Sequence, residues 1–184
     1  MEIDITKLKD LSDINSGRAD IIYNLVDSIV SPYSSELDEW MENLYKAVVG
    51  EEAISTDDAE RYYASITNCI YFMTNKLEKL NIYSDIAKAT AKEAYSKAYI
   101  KSSAEKDEKG KSLRTVGENQ SVAEMEAQYD NVNSSIYEHA YRLLKAKIDA
   151  ATEAVTMLKN LIKRRMNEEY LSGLADSNKV ITNE

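Results

Sequence analysis

Two stretches of the chain space their apolar residues with the period of a buried helical seam. In the first, Ile66, Ile70, Met73, Leu77, Leu80, Ser84, Ala87, Ala91, Ala94 and Ala98 recur at steps of four and three. That is the heptad spacing of a helix packed along one side. In the second, Val122, Met125, Tyr129, Val132, Ile136, Ala140, Leu144, Ile148, Ala151, Val155, Leu158, Ile162 and Met166 do the same. The consecutive four-residue steps from Val132 to Ile148 form a stutter, which locally unwinds a supercoil. Neither Gly nor Pro occurs between 57 and 106 or between 118 and 172. Each stretch therefore reads as one helix of about 50 residues, on the order of 75 Å long. The pattern predicts an all-α protein built on a long antiparallel, coiled-coil-like hairpin.

The punctuation of the chain sets the expected boundaries. Gly50 and the cap-like Ser55-Thr56-Asp57-Asp58 separate the first long helix from what precedes it. Gly110 and Gly117 bracket a polar turn at 107–120. Ser121-Val-Ala-Glu124 has the spacing of a capping box and predicts the start of the second helix. Gly173 suits its C-terminal cap. Closing the hairpin on this turn sets Ala91, Ala94 and Ala98 against Ile136, Val132 and Tyr129, small against large. The seam loses bulk toward the turn, so that end buries less apolar area and is expected to be the more mobile.

Residues 1–52 read as a short helical segment. Ile21, Ile22, Leu25, Val26, Ile29 and Val30 share one side, and Leu37, Trp40, Met41, Leu44, Tyr45 and Val48 make a second stripe beyond a break at Ser31-Pro32. The expected organisation is an acidic N-terminal segment at 1–52, a hairpin at 53–172 and a polar tail at 173–184.

Composition removes several function classes. One Cys and one His exclude an internal disulfide framework, Cys-rich zinc sites and His-paired di-iron centres, so no metal or other cofactor is expected. No apolar run approaches the ~20 residues of a membrane span, and the acidic start lacks a signal-peptide pattern, so a soluble cytoplasmic protein is expected. Gly110-Lys111-Ser112 ends like a P-loop, but Glu105 stands where that motif needs Gly, and no strand precedes it. Cys69 reads as a buried thiol and His139 as a residue at the seam's edge. No nucleophile and base fall together, so the chain is expected to be non-catalytic.

Charge adds the one chemical lead. The net −9 resolves into residues 1–60, with 15 acidic and 4 basic side chains, a balance of −11, and a remainder at +2. Within 88–114 lie Lys88, Lys92, Lys97, Lys101, Lys106, Lys109, Lys111 and Arg114 against Glu93, Glu105, Asp107 and Glu108. Further bases follow at Arg142, Lys145, Lys147, Lys159, Lys163, Arg164 and Arg165. Lys88 with Lys92, and Lys97 with Lys101, are helical neighbours, and Tyr95 and Tyr99 lie among them. Lysines supply phosphate contacts and rings supply base stacking, the combination that holds a single-stranded nucleic acid. The plain alternative is a solvated lysine face with tyrosines along a seam edge, wet on one side.

The stretch Lys88-Ala-Thr-Ala-Lys92-Glu-Ala-Tyr95-Ser-Lys97-Ala-Tyr99 resembles the basic, tyrosine-bearing helix of UvsY-like recombination mediators of tailed phages. The segment from Tyr137 through Lys163-Arg164-Arg165 resembles the C-terminal helix through which that family assembles. The similarity is one of pattern, over roughly residues 80–170, and this chain differs by its acidic 1–52 segment and acidic balance. The resemblance implies a self-associating, single-stranded-DNA-binding accessory protein in a bacterial host's cytoplasm. It also implies a phage recombinase and a single-strand-binding protein as partners. Lys88, Lys92, Lys97 and Lys101 would then hold phosphates and Tyr95 and Tyr99 would stack, with Lys106, Lys109, Lys111 and Arg114 extending the track. The rival expectation is a helical virion, scaffolding or adaptor component that binds no nucleic acid, its basic end facing a neighbour's acidic segment.

Overall fold

The computed structural model describes residues 5–50, 54–106 and 108–181, with side chains described at Asp13 and from Asn15 to Leu171 within those stretches. The protein is all-α: α1 spans Ile5–Val49, α2 Thr56–Ala104, α3 Val116–Glu126 and α4 Gln128–Ile181. No strand occurs among the described residues, and an isolated bridge joins Lys106 to Ser112 in the turn. No helix among them is long and apolar enough to cross a membrane.

Several boundaries follow from the residues expected to set them. α1 stops at Val49, where the Gly50 N–H still bonds the Lys46 carbonyl at 3.0 Å. Ser55 caps α2: its Oγ accepts from the Asp58 N–H at 3.0 Å and donates to the Asp58 carboxylate at 2.6 Å. Asp57 and Asp58 place negative charge at the N-terminus of that helix, where the dipole favours it.

Three boundaries differ from expectation. α1 does not break at Ser31-Pro32; it runs through Pro32 as one helix of 45 residues. The proline removes the bond to the Ser28 carbonyl, but its ring is exposed, while Val30 and Ser34 on either side are fully buried. Burial of the seam offsets the lost hydrogen bond. The second hairpin helix starts before Ser121, whose hydroxyl bonds the Gly117 carbonyl inside α3. Its N-cap is Thr115, which makes a capping box with Glu118. Gly173 does not end α4, which continues to Ile181. Residues 182–184 and Asp107 lie outside the described residues.

The packing forms two units. One comprises residues 1–32 and 76–144, and the other residues 33–75 and 145–184. In the first, α2 and α4 are antiparallel partners: Lys88 meets Glu138 at 3.3 Å, and the Tyr83 and Tyr137 rings meet edge to face. Its buried positions shrink toward the turn, from Leu80 and Leu144 to Ala91, Ala98, Ser102, Asn119, Ala123, Ala127 and Ser134. Met125, Tyr129 and Val132, expected in this seam, are 74%, 87% and 40% exposed. Small residues are buried on both sides of this end of the seam, Ala91, Ala98 and Ser102 on α2 against Ala123, Ala127 and Ser134 later in the chain, while the bulky side chains face solvent.

In the second unit, Leu37, Leu44, Ile66, Cys69, Met73, Ala151 and Leu158 are buried. Trp40 of α1 packs edge to face on Tyr62 of α2, and Lys147 of α4 bonds the Asp38 carboxylate of α1 at 2.5 and 2.7 Å. Burial of Cys69 raises its thiol pKa, and the nearby Glu36 carboxylate adds to the effect.

Candidate nucleic-acid interface

All ten candidate residues lie in the first unit, on the C-terminal half of α2 and on the turn after it. They do not form one track. The buried positions Ala91, Ala98 and Ser102 mark the side of α2 that faces its partner. At roughly 100° per residue, Lys88, Lys92, Tyr95 and Tyr99 fall together on one flank of that seam. Lys97 and Lys101 fall on the opposite flank, about half a turn away. The periodicity that pairs Lys88 with Lys92, and Lys97 with Lys101, is therefore the same periodicity that separates the pairs.

The first flank combines rings and cations. Tyr95 and Tyr99 stack on one another, with centroids 6.4 Å apart and planes 14° from parallel. Both are half-buried, with part of each ring in solvent. Lys92 is exposed beside them, and Lys88 reaches across to Glu138. Glu138 also takes Arg142. The hydrogen bond from Lys88, then the charges of Arg142 and Lys88, hold the Glu138 carboxyl below the usual carboxylate range. The flank thus keeps positive charge beside an aromatic surface, with its nearest cross-helix acid already neutralised.

The second flank is weaker. Lys97 is paired with Glu93 one turn back at 2.6 Å, both well exposed, and Glu93 is lowered by that contact. A surface pair of this kind is screened by solvent and adds little to stability. Lys101 is exposed in the last turn of α2, where a cation complements the helix dipole.

The turn is clamped rather than loose. The Leu113 N–H bonds the Glu105 carbonyl at 3.0 Å, the Ser112 hydroxyl bonds the Arg114 carbonyl at 2.8 Å, and Arg114 meets the Glu105 carboxylate at 2.5 Å. Gly110 takes φ +76°, which an L side chain rarely adopts, so the tip needs glycine. Lys106, Lys109 and Lys111 are exposed there, while Arg114 is half-buried by its pairing.

Sequence reasoning set Glu93 and Glu105 against these bases without assigning their partners, and it missed Glu138. Glu93 was legible as the residue four before Lys97. Glu138 was legible from the hairpin register, since Ala91 opposite Ile136 sets Lys88 near it. Neither Cys69 nor His139 is drawn into this region. Cys69 is in the second unit, and His139 lines an apolar groove of about 610 Å³ with Ile22, Val26 and Leu143. Comparison with protein-family models, curated proteins and solved structures finds no match to this chain.

Proposed function

We propose that the protein is a non-catalytic, single-stranded-nucleic-acid-binding accessory protein, with Lys92, Tyr95 and Tyr99 as the centre of its interface. The observation that carries the reading is the stacked Tyr95–Tyr99 pair on the same helix flank as Lys88 and Lys92. Rings with part of their surface in solvent take a base on a face or edge, and Lys92 is placed to meet the adjoining phosphate. Lys88 contributes by orienting and neutralising Glu138. On this reading Lys97 and Lys101 are peripheral, and the turn's Lys106, Lys109, Lys111 and Arg114 lie beyond the core contact. The pattern resemblance to UvsY-like mediators suggests the setting: an oligomer that acts on single-stranded DNA alongside a recombinase and a single-strand-binding protein.

The test contrasts the flanks. In fluorescence anisotropy with a labelled oligo-dT, Lys92→Glu combined with Tyr99→Ala weakens binding about tenfold or more. Lys97→Glu combined with Lys101→Glu changes it less than about threefold. Equal losses from both pairs, or none from the first, contradict the assignment.

A second reading has its own observation. Tyr71, Phe72, Ile100, Met125 and Tyr129 are all more than 60% exposed, and large apolar side chains in solvent favour association. On that reading the chain is a helical interaction or scaffolding protein. It self-associates in light scattering and gives no anisotropy change with any oligonucleotide.

A further inference from the structure

We propose that the second unit carries a docking groove for a basic amphipathic helix of a partner protein, laid between α1 and α2. The groove is a cleft of about 850 Å³ walled by Trp40 and the Tyr62 ring. It continues through Glu36 into a smaller cleft of about 270 Å³, lined by Tyr33, Leu37 and Phe72. Protein ligand clefts run from about 300 to 1,000 Å³. A trough between two helices is the form that accepts a third helix by its side-chain ridge.

The charges in the groove select the occupant. Glu36, Glu39 and Asp58 line the larger cleft, with Lys46 and Arg61 as its cations. Both cations are engaged. Lys46 pairs with Glu42 at 2.7 Å, and the Arg61 guanidinium lies over the Trp40 ring, 5.8 Å from its centroid. Asp58 belongs to the α2 cap. Glu36, which lies beside the Cys69 thiol, and Glu39 next to Trp40 have no ion pair among the described residues. The sequence around it has the same sign, since residues 33–60 hold 9 acids against 1 base. The smaller cleft is mixed, with Glu36 and Asn68 on its polar side and Phe72, 61% exposed, as its apolar edge. A helix presenting Lys or Arg toward Glu36 and Glu39, and an apolar anchor one or two turns away toward Phe72, satisfies both halves. An acidic or wholly apolar helix does not, because burying Glu36 and Glu39 unpaired is costly.

The groove shares no residue with the proposed nucleic-acid flank, so the two readings stand or fall separately. It also contains its own reporter, because Trp40 is the single tryptophan of the chain. The test titrates the full-length protein with a tryptophan-free model peptide of repeating Leu and Lys in helical register, following Trp40 emission, with a Leu/Glu peptide of equal length as control. The expected result is a saturable change in Trp40 emission with the basic peptide, weaker at high salt and absent with the acidic one. Glu36→Lys with Glu39→Lys weakens it about tenfold or more while the circular dichroism stays helical. Three outcomes overturn the proposal: no response to the basic peptide, an equal response in the double variant, or a Trp40 change driven by protein concentration alone. The last would mean that a second copy of the chain fills the groove.

Discussion

Glu138 shows how a single side chain organises the candidate interface. It lies 3.3 Å from Lys88 across the helix pair and also takes Arg142 on its own helix. Its carboxyl is held low, first by the hydrogen bond from Lys88. A carboxylate whose folded pKa lies below its unfolded value of about 4.3 adds stability above that value, and loses it as pH falls through the folded pKa. Glu42, Glu93 and Glu118 are shifted in the same direction. Urea-unfolding stability is therefore expected to fall as pH drops below about 5, and Glu138→Gln to fall less steeply over that window. Identical slopes would remove Glu138 from the account. Asn119 makes the opposite case. It is 4% exposed, and its Oδ1 has no hydrogen-bond partner among the described residues. An unpaired buried polar atom costs about 1–3 kcal/mol, so Asn119→Ala, among the alanines of that seam, is expected to be neutral or to stabilise by about 1 kcal/mol. A loss of more than about 1 kcal/mol on chemical denaturation would show that the amide is needed where it sits.

At the scale of elements, long uninterrupted periodicity was the reliable signal and single punctuating residues were not. Gly50 and Ser55 mark real ends because a cap or turn hydrogen bond forms at each. Pro32 and Gly173 do not, because burial along a seam or simple helix continuation outweighs one missing bond or one flexible residue. Ser121-Val-Ala-Glu124 and Thr115-Val-Gly-Glu118 both have the spacing of a capping box, and the earlier one is used. Gly117 concealed it, since a glycine near the start of a helix looks like a breaker in sequence yet costs only about 1 kcal/mol. The heptad reading placed Ala140, Leu144, Ala151 and Leu158 correctly, but it failed at Met125, Tyr129 and Val132. The same reading followed Ser84, Ala87, Ala91 and Ala98 on α2, but in the later helices the bulk of Met125, Tyr129 and Val132 drew it away from Asn119, Ala123, Ala127 and Ser134. Two outcomes follow. Thr115→Ala removes the Oγ1 half of the capping box, leaves the bond from the residue-115 N–H to the Glu118 carboxylate, and is expected to cost about 1 kcal/mol. Amide hydrogen exchange in α3 and in the last turns of α2, where the seam is small and partly polar, is expected to run faster than around Leu144 and Leu158. Uniform protection would mean that the small-residue seam is as firmly closed as the leucine-rich one.

For the whole molecule, the net charge of −9 does not decide whether it meets a polyanion. A global negative field slows the approach of nucleic acid, but contact depends on the local potential. Along the sequence the acids are densest in residues 33–60, 9 against 1 base, in the second unit, whereas the rings and lysines of the candidate flank are on α2 in the first. Position along the chain was legible, and so was the pairing of lysines a turn apart. Their division onto opposite flanks emerged once burial fixed which side of α2 is the seam. The groove at Trp40 was not legible, because it depends on how α1 and α2 pack rather than on either pattern alone. The most direct measurement is an anisotropy titration of the intact protein with labelled oligo-dT and with duplex DNA of equal length, each at low and moderate salt. Tighter binding to the single strand is expected, with log affinity falling against log salt at a slope of about −0.7 for each phosphate neutralised. No binding at low salt, or equal binding to duplex, would contradict it.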